Sequence, residues 1–190
     1  MRPKNACMLL LTAFIWGTAF VAQSVGMDYL EPFTFNGVRC LIGAIALLPC
    51  IWFFNRGKEK ENKVNDENAK RDLIKGGIAC GILLFAASSL QQIGLVYTAA
   101  GKAGFITAFY IVLVPVFGIF LHKNIGWKVW TAVAIALAGL YFLCITEAFT
   151  IGVGDIYVLL CALIFSVHIL VVDHYAPKVD GVKLSCIQFL

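Results

Sequence analysis

Six long apolar runs dominate the sequence, and a seventh begins at about Leu184. The six runs lie at about residues 6–25, 33–54, 73–96, 103–121, 127–146 and 154–173. A helix needs about 20 mostly apolar residues to cross about 30 Å of hydrocarbon. Lipid offers a peptide group no hydrogen-bond partner, so such runs must be helical. The pattern predicts an all-α polytopic membrane helix bundle, with six transmembrane helices plus the start of a seventh.

The composition favours a lipid bilayer over water as the surroundings of this chain. Apolar residues make up 61% of the sequence and charged residues 14%, whereas a typical soluble domain has about 45–50% and 25%. A single soluble core of this size could not bury so much apolar surface. The first run could also be a signal peptide, but its apolar core is longer than the usual ~7–15 residues and five more runs follow.

The charged residues indicate an orientation rather than a charged partner. The net charge is +4, but the charges lie between the apolar runs and form no basic face, so no nucleic acid is expected. Of fifteen Lys and Arg residues, thirteen fall in alternate connecting segments, Lys102 is alone on the other side, and Arg39 lies within a run. The positive-inside rule then predicts a multi-pass cell-membrane protein with a cytoplasmic amino terminus. The longest connector, residues 55–72, is predicted to be solvated or disordered.

The sequence shows no pattern typical of a metal site, a cofactor site or an enzyme. A disulfide framework or zinc site would place cysteines close together in loops, whereas these seven lie in or beside apolar runs and are interpreted as small, buried, reduced residues. The stretch 152–155 matches the GxGD of intramembrane aspartyl proteases. The second acid that such catalysis needs is missing, because Asp173 lies on the same run, about 27 Å away. Asp155 itself suits the start of a helix.

Two segments of the sequence resemble each other. "LLLTAFIWG" (9–17) and "VLLCALIFS" (158–166) are identical at four of nine positions, with an offset of 149 residues. Five runs separate their starts, so the two helices would run in opposite directions, as in the inverted repeats of secondary transporters. Residues 1–148 are therefore predicted to form a first five-helix repeat and residues 149–190 to begin a second. Two such repeats would need roughly 298 residues, so the sequence is expected to be a fragment.

Four segments carry a resemblance to a known family. "LLTAFIWGTAFVA", "EPFTFNGVRCLIGAIALLP" and "GLVYTAAGKAGFITAFYIVLVPVFGIFL" resemble the EamA family of the drug/metabolite transporter superfamily, and "GDIYVLLCALIFSVHILVVDHYAPKVD" resembles the opening of its second repeat. The resemblance implies a ten-helix inverted-repeat fold that carries small organic solutes. The family often has a Glu after the fourth helix, where this sequence reads "LHKNIGWKV". No role tied to that Glu is expected here.

Arg39 is the most informative single residue. It lies about six residues into the second run, which is roughly 9 Å deep at helical rise. A charge at that depth is costly and is often functional. It would contact an anionic or carboxylate-bearing substrate, or fix the first two helices by pairing. The alternative is that its long stem lifts the guanidinium to the interface.

Other polar and aromatic residues within the runs are also candidates for a solute site. In the third run, the small residues Gly77 and Gly81 suit close helix packing, whereas the polar residues Ser88, Gln91 and Gln92 suit the wall of a pore. In the fourth run, Pro115 can kink the helix and free a carbonyl, or give only a static bend. His168 is a candidate for proton coupling because histidine titrates near neutral pH. The predicted substrate-binding set is Trp16, Arg39, Ser88, Gln91, Gln92 and Tyr110.

These features predict a membrane transporter of small organic metabolites or drugs that works by alternating access. Its partners would be a small-molecule substrate, the lipid bilayer, and either a missing C-terminal repeat or a second copy of the chain. The alternative is a non-transporting truncated protein or assembly partner. An antiparallel dimer of short carriers is disfavoured by the strong Lys and Arg bias, since dual insertion needs a nearly neutral balance between the two sides.

Overall fold

Helices make up nearly all of the regular structure. The computed structural model describes residues 3–58, 67–122, 125–144 and 152–190. Within these ranges the chain forms eight helices and no strand: α1 Pro3–Gly26, α2 Pro32–Lys58, α3 Glu67–Tyr97, α4 Ala100–Ala108, α5 Tyr110–Phe120, α6 Trp127–Cys144, α7 Val153–Tyr175 and α8 Gly181–Phe189.

The lengths of the described helices fit a membrane. Five segments are long and apolar enough to cross it, namely Asn5–Gly26, Pro32–Phe53, Glu67–Tyr97, Ala100–Phe120 and Val153–Tyr175. The predicted all-α polytopic bundle is therefore confirmed. The fifth apolar run forms α6, whose described apolar stretch Trp127–Gly139 is shorter than a full span. The run predicted from Leu184 begins three residues earlier as α8, because the Asp180 carboxylate accepts hydrogen bonds from the Val182 and Lys183 amides.

Helices α2 and α3 both extend into the connector, residues 55–72, that was predicted to be solvated or disordered. Residues 55–58 end α2 and residues 67–72 begin α3, so the prediction of disorder is wrong for both parts, while residues 59–66 lie outside the described ranges. The first turn and a half of α3 is rich in Glu, Ala, Lys and Arg, which have high helix propensity, and the acidic Glu67 suits the positive end of the helix dipole. Elongation of an existing helix is also easier than starting a new one.

The fourth apolar run consists of two helices instead of one. The interruption lies at Phe109, whose amide donates to the Ile106 carbonyl at 3.1 Å and whose carbonyl accepts from the Val112 amide at 2.9 Å. These contacts span three residues, so the chain tightens locally into a 3₁₀-type turn. Pro115, where a kink was predicted, lies inside the continuous helix α5. Proline there removes a single backbone donor, and the surrounding turns remain helical.

Helix α3 lies at the centre of the bundle and packs most extensively on α7. Two buried clusters line this contact: Ala87, Cys161 and Phe165, and Leu95, Ala103 and Val158. Glycines allow the two backbones to approach, because a Cβ on Gly154 would lie 2.9 Å from the Gly94 carbonyl oxygen. At the other end of α3, Gly77 and Gly81 face α8 in the same close manner.

Helix α1 is attached to the bundle at its C-terminal third. Every residue from Cys7 to Thr18 is exposed, whereas Gln23 is buried. Phe20 and Met27 pack against the cluster of Leu95, Ala103 and Val158. The N-terminal two-thirds of α1 is therefore uncovered by the other described helices.

The cysteines follow the prediction only in part. Cys80, Cys161 and Cys186 are buried, and Cys40 is half-buried, but Cys7 and Cys50 are exposed. The prediction of burial is wrong for these two because they lie on helix faces that no described helix covers. Cys144 lies outside the residues whose side chains are described.

Candidate functional site

A cavity of about 520 Å³ lies between α1, α2, α3, α5, α7 and α8. Its size falls in the range of about 300–1,000 Å³ typical of small-molecule sites. Most of its lining is apolar. The side chains that bring polar atoms to it are Trp16, Gln23, Arg39, Ser88, Gln91, Tyr110, His168 and Gln188. The cavity therefore combines an apolar body with a few polar groups from separate helices, as solute sites do.

Arg39 is held in the cavity by two amide side chains. Its Nη1 donates to the Oε1 of Gln23 at 2.6 Å, and its Nη2 donates to the Oδ1 of Asn36 at 2.8 Å. The guanidinium therefore points into the bundle and bonds α1 to α2, which disfavours the snorkelling alternative. Within the part of the chain that the structure describes, no carboxylate lies within 4.0 Å of Arg39.

The hydrogen-bond chain continues from α2 into α3. Asn36 is 2% exposed, and its Nδ2 donates to the Ser88 hydroxyl at 2.8 Å. Ser88 donates in turn to the Leu84 carbonyl at 2.6 Å. Low dielectric strengthens such a network and makes any unpaired member costly. This network, Gln23–Arg39–Asn36–Ser88, fixes the orientation of Arg39, the one charged side chain among the described residues of the cavity wall.

Five of the six predicted binding residues line the cavity, namely Trp16, Arg39, Ser88, Gln91 and Tyr110. Gln92 does not. It is fully buried just beyond the C-terminal end of α1, where its Nε2 contacts the Met27 sulfur at 3.6 Å and its Oε1 has no hydrogen-bond partner among the described residues. At about 100° per residue, Gln91 and Gln92 lie on opposite sides of Ser88 around the helix. Only the Gln91 side faces the cavity.

The other polar groups in the wall connect further pairs of helices. The Gln91 Nε2 donates to the Thr107 hydroxyl at 3.3 Å, which joins α3 to α4. His168, the candidate for proton coupling, lies 3.2 Å through its Nε2 from the Oε1 of Gln188, which joins α7 to α8. Both helices after residue 149 therefore contribute to the cavity wall.

Sequence reasoning missed Asn36 and Gln188. Asn36 had a usable signal, because it precedes Arg39 by three residues and so shares a face of α2 with it. Gln188 had none, since its position follows from how α8 packs on α2 and α3.

A second polar cluster lies where α4 meets the start of α7. Lys102 Nζ lies 2.6 Å from Oδ2 of Asp155, and these side chains are 22% and 7% exposed. The same carboxylate accepts from the Thr98 hydroxyl at 3.0 Å and from the Gly152 amide at 2.8 Å. Asp155 thus caps α7, as the sequence indicated, and also ties that helix to the turn between α3 and α4.

The Asn36 bridge should be measurable. We expect Asn36→Ala to lower the free energy of unfolding by about 0.5–2 kcal/mol, the range for single polar contacts between membrane helices. Thermal unfolding of the purified chain in a mild detergent would measure the loss. Thr131→Ala is the matched control, because that exposed hydroxyl bonds only the Trp127 carbonyl of its own helix. An Asn36→Ala variant as stable as the control would contradict the structural role of the bridge.

Five membrane-length helical segments and a solute-sized cavity between helices define a multi-pass helical membrane protein. Residues 4–145 match the family model of the EamA-like transporter family. The chain therefore belongs to this family, which confirms the resemblance in the sequence. The family consists of transporters, and its members are not typically enzymes.

One curated relative extends the comparison beyond the first five helices. The chain is 35% identical over 180 residues to an uncharacterized transporter of Archaeoglobus fulgidus, an alignment covering 93% of this chain and 51% of the relative. The chain thus spans about half the length of the curated relative it matches. No solved structure matches it.

Proposed function

We propose that this chain forms part of a non-enzymatic carrier that moves small organic solutes across the cell membrane by alternating access. The observation that carries the proposal is the cavity, since a mostly apolar space with a few fixed polar groups suits a small organic solute. In the proposed site, Trp16 and Tyr110 form walls, Arg39 provides charge, and Ser88 and Gln91 provide polar contacts. Gln92 lies away from this cavity and is left out.

We propose an inverted-repeat architecture for the complete carrier. Residues 1–148 would be the first repeat and residues 149–190 the start of the second, with the amino terminus in the cytoplasm as the charge bias favours. The rest of the second repeat would come from a longer polypeptide, or its place would be taken by a second copy of this chain. Intact mass of the product from native membranes, followed by cross-linking, distinguishes these two arrangements.

Alternating access can be tested at Cys40, a natural thiol in the cavity wall. In a variant whose other six cysteines are alanine, we expect a membrane-impermeant maleimide to label Cys40 in both right-side-out and inside-out vesicles. The physical reason is that each face of the membrane gains access to the same cavity in turn. Mass spectrometry of the labelled chain gives the measurement.

The matched control is a variant that keeps only Cys161, which is fully buried. It should stay unlabelled in both vesicle types until the protein is denatured. Labelling of Cys40 from one face only, under every solute gradient tried, would contradict alternating access at this cavity.

We propose His168 as the proton-carrying group if transport is proton-coupled. It lines the cavity with Arg39 and contacts Gln188. We expect His168→Gln to flatten the pH dependence of uptake between about pH 5 and 8, the range in which histidine ordinarily titrates. Uptake with the same pH dependence in the variant would remove His168 from this role.

A further inference from the structure

We propose that the cavity selects organic monocarboxylates with an apolar body, and that Arg39 binds the carboxylate. This inference rests on the proposed role of the cavity as the solute site. Three observations carry it: the charge of the lining, the unused donors of the guanidinium, and the apolar surface opposite it.

The lining charge favours a single negative charge on the solute. Among the lining residues in the described part of the chain, Arg39 is the only Lys, Arg, Asp or Glu, and His168 is the only other side chain that could become cationic. An organic cation would meet a like charge at low dielectric, with no carboxylate in the wall to offset it. A dianion would bring in one negative charge beyond the single permanent positive charge, at a desolvation cost.

The geometry of Arg39 leaves donors for a carboxylate. A guanidinium has five N–H donors, and described residues occupy two of them, Gln23 one on Nη1 and Asn36 one on Nη2. The two amides are themselves held, since Gln23 Nε2 donates to the Ala19 carbonyl at 3.1 Å and Asn36 Nδ2 donates to Ser88. The planar fork is therefore oriented before any solute arrives. Its remaining N–H groups suit a two-oxygen acceptor, which an arginine binds more specifically than a lysine does.

The rest of the cavity would hold an apolar body. Apolar side chains come from α1, α3, α7 and α8, and they include the rings of Trp16, Phe165 and Phe189. Aromatic rings bury large areas of an apolar ligand. A solute with its carboxylate at Arg39 would therefore have apolar surface around the remainder of its length.

Trp16 offers a direct reporter of binding, because it lines the cavity and is half-exposed. The other three tryptophans, Trp52, Trp127 and Trp130, are exposed and line no part of it. Replacing these three with phenylalanine leaves Trp16 as the single tryptophan, whose emission can be excited selectively over that of the six tyrosines.

The chain would be placed in phosphatidylcholine nanodiscs at pH 7.5 and titrated with phenylacetate, phenylacetamide and phenethylamine. A second series of 4-methylpentanoate with its amide and amine changes the shape and keeps the three charge states.

We expect both carboxylates to change Trp16 fluorescence saturably, with a Kd at least ~10-fold lower than that of the matched amides, because hydrogen bonds to charged groups contribute about 1.5–3 kcal/mol. The amines should bind more weakly than the amides. Arg39→Gln should raise the carboxylate Kd to that of the amide measured in the same variant, so that selectivity for the charged probe is lost. Arg39→Lys, which keeps the charge and loses the fork, should fall between the two.

Three outcomes would overturn the proposal. Amides or amines that bind as tightly as the carboxylates would exclude selection of an anion. This comparison is made on the chain that keeps Arg39, so it needs no variant at that position. A carboxylate Kd unchanged by Arg39→Gln would exclude Arg39 as the group that binds. Both results leave the carrier proposal intact. No saturable response to any of the six probes, together with one-sided labelling of Cys40, would overturn the carboxylate proposal and the carrier proposal together.

Discussion

Lys102→Met should destabilise the protein by about 2–4 kcal/mol, because it leaves the buried Asp155 carboxylate without its cation. The Lys102 side chain is 22% exposed, so the loss should fall below that of a fully enclosed pair. Asp155 would keep its hydrogen bonds from Thr98 and Gly152, and these cannot neutralise its charge. Thermal unfolding in detergent, followed by size-exclusion chromatography of the heated sample, would measure the change.

A double-mutant cycle separates this pair from its surroundings. Asp155→Asn alone removes the charge and keeps a side chain of similar size, and the double variant should be more stable than the sum of the two single losses predicts. Lys128→Met is the matched control, since Lys128 is exposed at the start of α6. Losses that simply add, or a Lys102→Met variant as stable as the control, would show that the ion pair does not hold α4 to α7.

Gly154→Val should have the second large effect, through the contact of α3 and α7. Even the first side-chain carbon at this position would lie 2.8 Å from the Tyr97 Cβ and 2.9 Å from the Gly94 carbonyl oxygen. The second of these contacts is with backbone, so no rotation of a side chain can relieve it and the helices must separate. Overpacking of this kind costs about 1–3 kcal/mol or more, measured as loss of thermal stability and of monodisperse protein.

Two other glycines provide controls for that experiment. A Cβ at Gly17 or at Gly139 would meet nothing within 4 Å. Gly17→Ala and Gly139→Ala should therefore leave stability unchanged or raise it by up to about 1 kcal/mol, because alanine favours a helix over glycine. If Gly154→Ala and Gly154→Val behave like these controls, the close approach of α3 and α7 is not needed for the fold.

The helices were predictable from the sequence because the length of each apolar run matches the thickness of the hydrocarbon core of a membrane. Arg39 was predictable for a related reason, since a charge inside an apolar run is visible without any knowledge of packing. The predicted spans and the observed helices agree to within one residue beside two of the short connectors, at the end of α1, the start of α2 and the end of α3. They agree least on both sides of the charged connector, where α2 continues to Lys58 and α3 already begins at Glu67.

The details of the site depend on contacts that sequence does not display. Asn36 and Ser88 are 52 residues apart along the chain and are joined only by the packing of α2 on α3. Gln91 and Gln92 are adjacent and chemically identical, yet only Gln91 reaches the cavity, because the choice depends on which face of α3 the other helices leave open. The interruption at Phe109 likewise contains no glycine or proline to mark it.

Because α1 is packed against the bundle only near its C-terminal end, a small tilt of this helix would displace its N-terminal end by a larger distance. Gln23 is bonded to Arg39, and Met8 lies 15 residues away toward the other end of α1, which is about 22 Å at helical rise. A tilt of α1 by about 10° about the position of Gln23 would displace Met8 by about 4 Å and Trp16 by about 2 Å. Because Ile15 and Trp16 form part of the cavity wall, such a tilt would widen one end of the cavity while the hydrogen-bonded arginine stays in place. The Arg39–Gln23 hydrogen bond, which orients the guanidinium, would then also be the point about which α1 tilts to open the cavity.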